Sequence, residues 1–507
     1  MGISKLVGNW RLPRINFYVI CIVLISLVLK LIFINSANLL VEEAYYWNYS
    51  IHLDFGYLDH PPMLAVLIKI ANMLFGAHAF AIRAPSLLCY ALTLYFNYRL
   101  SEAITRDSGQ YAVLLLSIMP FFFLQFLVMT PDQPLIVCWS AVLYCLYCAV
   151  ILNKTNYWYA AGIWFGLGLI SKYTIVLLVP SLVLYLLLTP DARHWFFRKE
   201  PYLCALIGFL FFTPVIYWNA THEWASFIFQ STRRFQDHFY FSLHHFVGLL
   251  LLFLLPIGCS GLFNLFKKSY HIELVMSKHI QRFLQVFVML PLIFFMVFSV
   301  IHAIKFDWIG PVFLALIPWL TRCMVIPENN NKQSTTKKQW LITIVILLIV
   351  YACMMIGLLY WCPSYIEKRI LPKFIAWDNL TMQFNHIAQR TEKTMHKQPI
   401  FVPLDSYNIA SELSFYQNQL WLDKKIPKIY PIMGGHIFGV ESLMFRYWSK
   451  DLIIQNKPLI LITTNLMFLE NLQKQIIPQS SIQRVWSYNQ RGTIKITLYY
   501  YQIVQYL

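Results

Sequence analysis

Apolar runs long enough to cross a lipid bilayer constrain this chain more than any other feature. A spanning helix needs about 20 mostly apolar residues. Such runs lie at roughly 15–37, 79–98, 111–128, 132–152, 158–171, 173–189, 201–219, 246–264, 283–301, 309–324 and 339–361, about eleven in all, with the two around Lys172 short. The chain is 58% hydrophobic and 12% charged, half the charge of a soluble domain, about 25%. The pattern predicts a polytopic α-helical membrane protein and excludes a soluble globular enzyme.

The charges give a direction to the spans. Lys5, Arg11 and Arg14 precede the run Ile15–Phe33, which has no small-residue cleavage site before Asn35, so it reads as an uncleaved first helix with its N-terminus inside. Alternate loops are then basic: Arg99 and Arg106; Lys154; Arg193, Arg198 and Lys199; Lys267, Lys268, Lys278 and Arg282; Arg322, Lys332, Lys337 and Lys338. This is the positive-inside pattern. It accounts for the net charge of +17 without a nucleic-acid-binding stripe, and it predicts a bacterial inner-membrane protein. The outer face then collects segment 38–78, the turns at Asp132 and Lys172, loops 220–245 and 302–308, and everything after residue 362. Segment 61–76 is apolar but short and carries Lys69, which suits a helix lying in the interface.

Residues 362–507 change character. Short β-like runs (Pro399–Leu404, Leu459–Thr463, Thr493–Tyr501) alternate with helical patterns, predicting a C-terminal soluble α/β domain outside the membrane after a transmembrane domain at 1–361. No cysteine lies beyond Cys362, so this domain has no disulfide framework of its own. Cys145 and Cys148 sit inside an apolar run and read as buried thiols.

The chemistry gathers on the outer face. Between Leu39 and Ile68 there is no Lys or Arg, but Glu42, Glu43, Asp54 and Asp59 stand with His52 and His60. Such a loop at the mouth of a membrane helix suits metal binding or proton abstraction. Adjacent Glu42 and Glu43 project differently, so one can face a reaction centre while the scaffold holds the other. Asp59-His60-Pro61-Pro62 offers an oxygen ligand and an imidazole before a proline-opened helix. Asp132, in Thr130-Pro131-Asp132, is a carboxylate at the end of apolar helices, where ionisable groups usually face a cavity, though it also suits a helix cap. Lys172 and Lys305 can neutralise a phosphate or snorkel to the interface. Arg83, Arg233 and Arg234 have the forked geometry that grips phosphate, although Arg83 equally suits a helix-end anchor. His238 is a candidate metal ligand. No Walker A, GxGxxG or HExxH motif is present, which leaves a nucleotide cofactor without support.

Taken together, Glu42–Trp47, Tyr57–Met63, Arg83-Ala84-Pro85-Ser86, Thr130–Leu135, Gly166–Tyr173, Lys305–Pro311, Asp405-Ser406-Tyr407 and Ala410–Leu413 resemble the GT-C glycosyltransferases that use lipid-linked sugars. The resemblance is to the protein mannosyltransferase-like superfamily, which includes the lipid A aminoarabinose transferase, and to its bacterial branch. It covers most of residues 10–420. It implies a polyprenyl-phosphate sugar donor, a lipid A, surface-glycan or protein acceptor, and direct displacement at the anomeric carbon with inversion. Glu42 stands where the family has its key Asp, the base that activates the acceptor, and the resemblance leaves Glu42 and Glu43 both open for that role. Asp59 aligns with an acidic residue that helps bind a divalent metal ion. His60 falls where the aminoarabinose transferase has a phosphate-facing Lys, and Tyr45 where it has an Arg. Lys172 matches a cavity Lys, and Asp132 a second membrane-mouth carboxylate. The rival readings are a secondary transporter, against which the absence of repeat symmetry argues, and a non-catalytic lipid-glycan binding protein.

Overall fold

The computed structural model describes residues 15–233, 239–266, 276–325, 335–359, 375–450, 452, 454–472, 476–489 and 492–506. Its first half is helical. Helix α1 (Phe17–Ser36) is followed by the short α2 (Val41–Ile51), α3 (Met63–Phe75) and the long α4 (Ala79–Ile104). Each expected span has a helical counterpart. Among the described residues six helices are long and apolar enough to cross a membrane, or nine if each bent pair is one span.

The two remaining expected spans differ for local reasons. In the third, α5 (Gly109–Ile118) stops at Met119, whose extended backbone (ψ 134°) precedes Pro120, and α6 (Pro120–Gln125) restarts in a new direction. Proline both disfavours helix in the residue before it and suits a helix's first position. The fifth, Asn156–Leu169, is short. The next helix, α7 (Asp132–Leu146), extends through a π-helical turn to Ile151 and is the most enclosed span.

The basic loops meet one another at one end of the bundle. Arg322 donates to Thr105 Oγ1 at 2.8 Å, Arg282 donates to the Leu188 carbonyl, and His279 lies 3.1 Å from Asp191. The segments assigned to the other face likewise converge, as described below. One cation is buried mid-span: Lys30 of α1 donates to Ser26 Oγ at 2.8 Å and lies 4.0 Å from the Phe123 ring and 4.8 Å from that of Tyr90. The aromatic faces supply part of the stabilisation that a carboxylate would otherwise give.

The C-terminal part carries a five-stranded sheet. Strands β1 (Ile400–Pro403), β2 (Pro458–Thr463), β3 (Ile476–Pro478), β4 (Gln483–Tyr488) and β5 (Lys495–Tyr506) are ordered β1-β2-β5-β3, with β4 also pairing β5. β1 and β2 are parallel, Ile400 opposite Leu459, and the other pairs are antiparallel. The three β-like runs read from the sequence are β1, β2 and β5. The fully buried β2 is a continuous apolar run, as a strand covered on both faces should be. The expected domain boundary near residue 361 lies outside the described residues.

The sheet domain does not merely follow the bundle. Its helices Trp377–Met395 and Asn408–Leu422 share one apolar core with α2 and α3, in which Tyr45, Trp47 and Leu64 pack with Phe384, Leu413 and Phe415. Asn48 donates to the Ser411 carbonyl and Asn38 to that of Ile375. The acidic loop is therefore clamped between two bodies.

Candidate active site

The adjacent carboxylates of α2 have opposite fates. Glu43 is fully buried and accepts from Arg83 twice, at 2.6 and 2.8 Å, and from the backbone N–H groups of Leu40 and Met129 at 3.0 and 3.2 Å. Arg83 spends its remaining donors on the Ala37 and Asn38 carbonyls, both at 2.8 Å. This bidentate pair staples α2 to α4. It removes Arg83 from the expected phosphate grip and Glu43 from the expected catalytic role, because neither has capacity left for a ligand. Glu42, one residue earlier, is half-buried and lies in the electrostatic reach of Tyr407 and Glu412.

Asp59 is the hub of an aromatic cluster. Its Oδ1 accepts from Tyr45 at 3.2 Å and from the Tyr49 hydroxyl, and its carbonyl accepts from the Gln230 amide. Tyr49 stacks on Tyr57 at 3.9 Å, while Tyr45 packs 4.7 Å from Tyr407 and 6.1 Å from Trp448. Burial and the neighbouring Asp59 push both tyrosines well above the ordinary phenol value, so they stay protonated and serve as donors to the carboxylate. The loop before Asp59 is pinned by Trp218, which donates to Asp54 at 2.9 Å.

Lys172 forms the second charged centre. Its ammonium donates to Asp132 Oδ1 and to Asp307 Oδ2, each at 2.7 Å. Burial lowers the affinity of this amine for its proton, but Asp132 and Asp307 outweigh that and hold it above the ordinary lysine value. The turn carrying it needs Gly168. The Lys172 N–H donates to the Gly168 carbonyl at 2.9 Å, and a Cβ at Gly168 would fall 2.1 Å from Ile175 Cδ1 and 3.1 Å from Cys138 Cβ. An ammonium has three donors. Two serve the aspartates, and the third remains for a ligand.

Lys172 and His60 open onto a groove of about 260 Å³ whose walls are mostly apolar: Tyr173, Val176, Leu177, Phe294, Phe295 and Trp308 are among them. One end is polar and charged, the other greasy. Gln230, which holds the Asp59 carbonyl, lines the same groove.

The structure therefore brings Asp59, His60, Asp132 and Lys172 of the sequence-predicted residues to one region. Lys305 is exposed, and its neighbour Asp307 makes the contact with Lys172. Arg233 closes the turn Phe229–Arg233 that carries Gln230, but its side chain, all of Arg234 and the expected metal ligand His238 lie outside the described residues. Among the described residues no three His, Cys, Asp or Glu side chains converge as a metal-binding group, and Asp59 already accepts from two tyrosines. The described residues do not fit a metal cage, so no step is routed through one. Sequence reasoning passed over Asp307, Tyr49, Tyr407 as a wall of the Tyr45 cluster, and the role of Glu412. That carboxyl is fully buried, has no hydrogen-bond partner, and is pushed well above the ordinary carboxylate value by burial and by Glu43 and Glu42.

The architecture is shared with solved membrane proteins. ArnT from Cupriavidus metallidurans, in a crystal structure bound to undecaprenyl phosphate, superposes with a TM-score of 0.61 at 15% identity, covering 96% of this chain and 98% of that one. The apo form of the Archaeoglobus fulgidus oligosaccharyltransferase gives a TM-score of 0.51 at 13% identity over 78% of this chain and 63% of that one. The fold is thus of the GT-C class. Within the sequence, residues 59–218 match the family described as dolichyl-phosphate-mannose-protein mannosyltransferase. A stretch of 216 residues is 24% identical to the lipid A galacturonosyltransferase RgtD of Rhizobium johnstonii, spanning 42% of each chain. By fold and by these matches the chain is a multi-pass membrane protein that resembles the lipid A transferases of the mannosyltransferase-like superfamily. The family match begins on Asp59 and contains His60, Asp132 and Lys172.

Proposed function

We propose that this chain is an integral-membrane glycosyltransferase that moves a sugar from a polyprenyl-phosphate donor to a lipid A, surface-glycan or protein acceptor. The observation that carries the reading is the groove with His60 and Lys172 at one end and aromatic and aliphatic walls along its length. Such a groove matches a molecule with an anionic head and a hydrocarbon tail, the chemistry of the undecaprenyl phosphate bound by ArnT. The reading places the site on the periplasmic face of a bacterial inner membrane, with basic loops such as that of Arg282 and Arg322 on the cytoplasmic face.

The reaction needs a base on the acceptor and stabilisation of the departing phosphate. Glu42 takes the proton of the acceptor hydroxyl. The acceptor oxygen attacks the anomeric carbon, the bond from that carbon to the phosphate oxygen breaks, and the polyprenyl phosphate leaves with the bonding pair, inverting the centre. Lys172 and His60 meet the leaving phosphate, and Asp132 and Asp307 hold the ammonium in place. Arg233 and Arg234 follow Gln230 along the chain and are proposed as further phosphate contacts. Asp59, oriented by two tyrosines, fixes the loop between the two reacting groups.

The test is transfer in proteoliposomes from a panel of radiolabelled undecaprenyl-phosphate sugars to cell-envelope acceptors, with wild type beside Glu42→Gln. Transfer from one donor that Glu42→Gln abolishes supports the reading. No transfer from any donor by folded protein overturns it and favours a transporter or a non-catalytic lipid-glycan binder.

A further inference from the structure

A second pocket lies on the other side of Asp59. It has a volume of about 430 Å³ and is lined by Leu58, His436, Gly439, Val440, Glu441, Ser442, Leu443, Arg446 and Tyr447. Leu58 and His60 are the neighbours of Asp59 in sequence, and they open onto different cavities: Leu58 onto this one, His60 onto the groove. The wall between them is tied to the hub. The Leu58 N–H donates to Met444 Sδ at 3.2 Å, and the Met444 N–H donates to the Tyr45 hydroxyl at 3.4 Å, which itself donates to Asp59.

The lining has the chemistry of a site for a charged sugar. Arg446 is exposed to the pocket's solvent, and its guanidinium makes no hydrogen bond or ion pair with any described residue. His436 bonds Ser442 Oγ at 3.1 Å, and burial together with Arg446 lowers its affinity for a proton. Tyr447 offers an aromatic face, held beside His222 and Trp218 at 5.9 and 6.2 Å. Glu441 adds a carboxylate that accepts from hydroxyls. An aromatic face, an acceptor for hydroxyls and a forked cation together recognise a saccharide bearing a phosphate. The pocket is more polar than the groove, so it does not suit a hydrocarbon tail.

Resting on the glycosyltransferase reading, we propose that this pocket binds the phosphorylated saccharide headgroup of a glycolipid acceptor, with Arg446 on the phosphate. Donor and acceptor then enter from opposite sides of Asp59 and meet across the Tyr45 cluster. Arg446 is a specificity-determining residue that does not touch the reacting atoms.

The test uses the full chain in nanodiscs without donor. The probes are an acylated, bisphosphorylated glucosamine disaccharide and its dephosphorylated counterpart, with binding read by native mass spectrometry. Wild type is expected to prefer the phosphorylated probe by about tenfold, the effect of one charge-assisted hydrogen-bonding group. Arg446→Ala should erase the preference, and Arg446→Lys should keep part of it. Arg484→Ala, a charge control on an exposed strand of the same domain, should leave it intact, and undecaprenyl-phosphate binding should be the same in all four proteins. A wild type without preference overturns the proposal. So does an Arg446→Ala protein that matches Arg484→Ala, and so does displacement by inorganic phosphate at the probe's own concentration, which marks a simple anion site. The two readings fail separately. Arg446-dependent binding without sugar transfer sinks the transferase reading, whereas transfer without Arg446 dependence sinks only the pocket.

Discussion

Two buried ionic centres hold the acidic loop in place, and they differ in one respect. Glu43 and Arg83 form a closed pair with no exposed surface on either side chain. Lys172, Asp132 and Asp307 form an open trio beside the groove, the Asp307 side chain retaining 29% exposure. The closed pair satisfies every donor it owns within the protein. The open trio keeps a hydrogen on the ammonium in reserve. A buried charge that is fully paired positions the chain; one that is under-paired at the edge of a cavity is available to a ligand.

The sharpest way to break this comparison is to remove one partner from the closed pair. Arg83→Met leaves Glu43 buried and uncompensated, and about 3–5 kcal/mol of stability should be lost, seen as a large fall in the detergent-solubilised melting temperature. Glu43→Gln with Arg83→Met should recover part of it. Next comes the neighbouring carboxylate. Glu42→Gln should lower transfer by about 10²–10⁴-fold, the range for a general base, with an unchanged melting temperature. A stability loss there like that of Arg83→Met would erase the distinction between the two glutamates.

For the open trio, Lys172→Met should lower transfer by about 10²–10³-fold, as removal of one preorganised donor does, and Lys172→Arg should restore part of it. Its melting temperature should fall less than that of Arg83→Met, because water and protons reach Asp307. The smallest effect is expected at Glu412. Its folded-state pKa is raised by burial and by Glu43 and Glu42. The stability contributed by its neutral form is therefore present below the ordinary carboxylate range and lost as pH rises through the raised value. Glu412→Gln should match wild type at pH 5 within about 1 kcal/mol and melt higher than wild type at alkaline pH. A lower melting point at both pH values would mean that the carboxyl is paired after all.

Much of this molecule was legible before its structure. Long apolar runs and their charged ends gave the spans, because a bilayer tolerates few alternatives. Asp59, Asp132 and Lys172 stood out as charges where apolar helices begin and end. What the sequence could not show was phase. Glu42 and Glu43 differ by one residue, and only the turn of α2 decides which meets Arg83. In Lys305-Phe306-Asp307 the same ambiguity hid the contact: Asp307 reaches inward while Lys305 faces out. Tyr45, Tyr49 and Tyr407 were masked by an aromatic content of 17%, ordinary for residues at a membrane interface. Arg446 carried no signal, since a lone arginine on a surface turn has none until a pocket forms around it.

The lysine in the middle of α1 has a consequence for how the protein is made. A charged side chain at the centre of a helix costs about 2.5–3.5 kcal/mol on insertion scales. The groups that settle Lys30 are Ser26 on its own helix and the rings of Tyr90 and Phe123. Both rings emerge from the ribosome later than α1 itself. The first span therefore enters the translocon before its cage exists. Its integration is completed only when the segment bearing Phe123 arrives beside it, so a substitution there would be felt first as a defect in biogenesis.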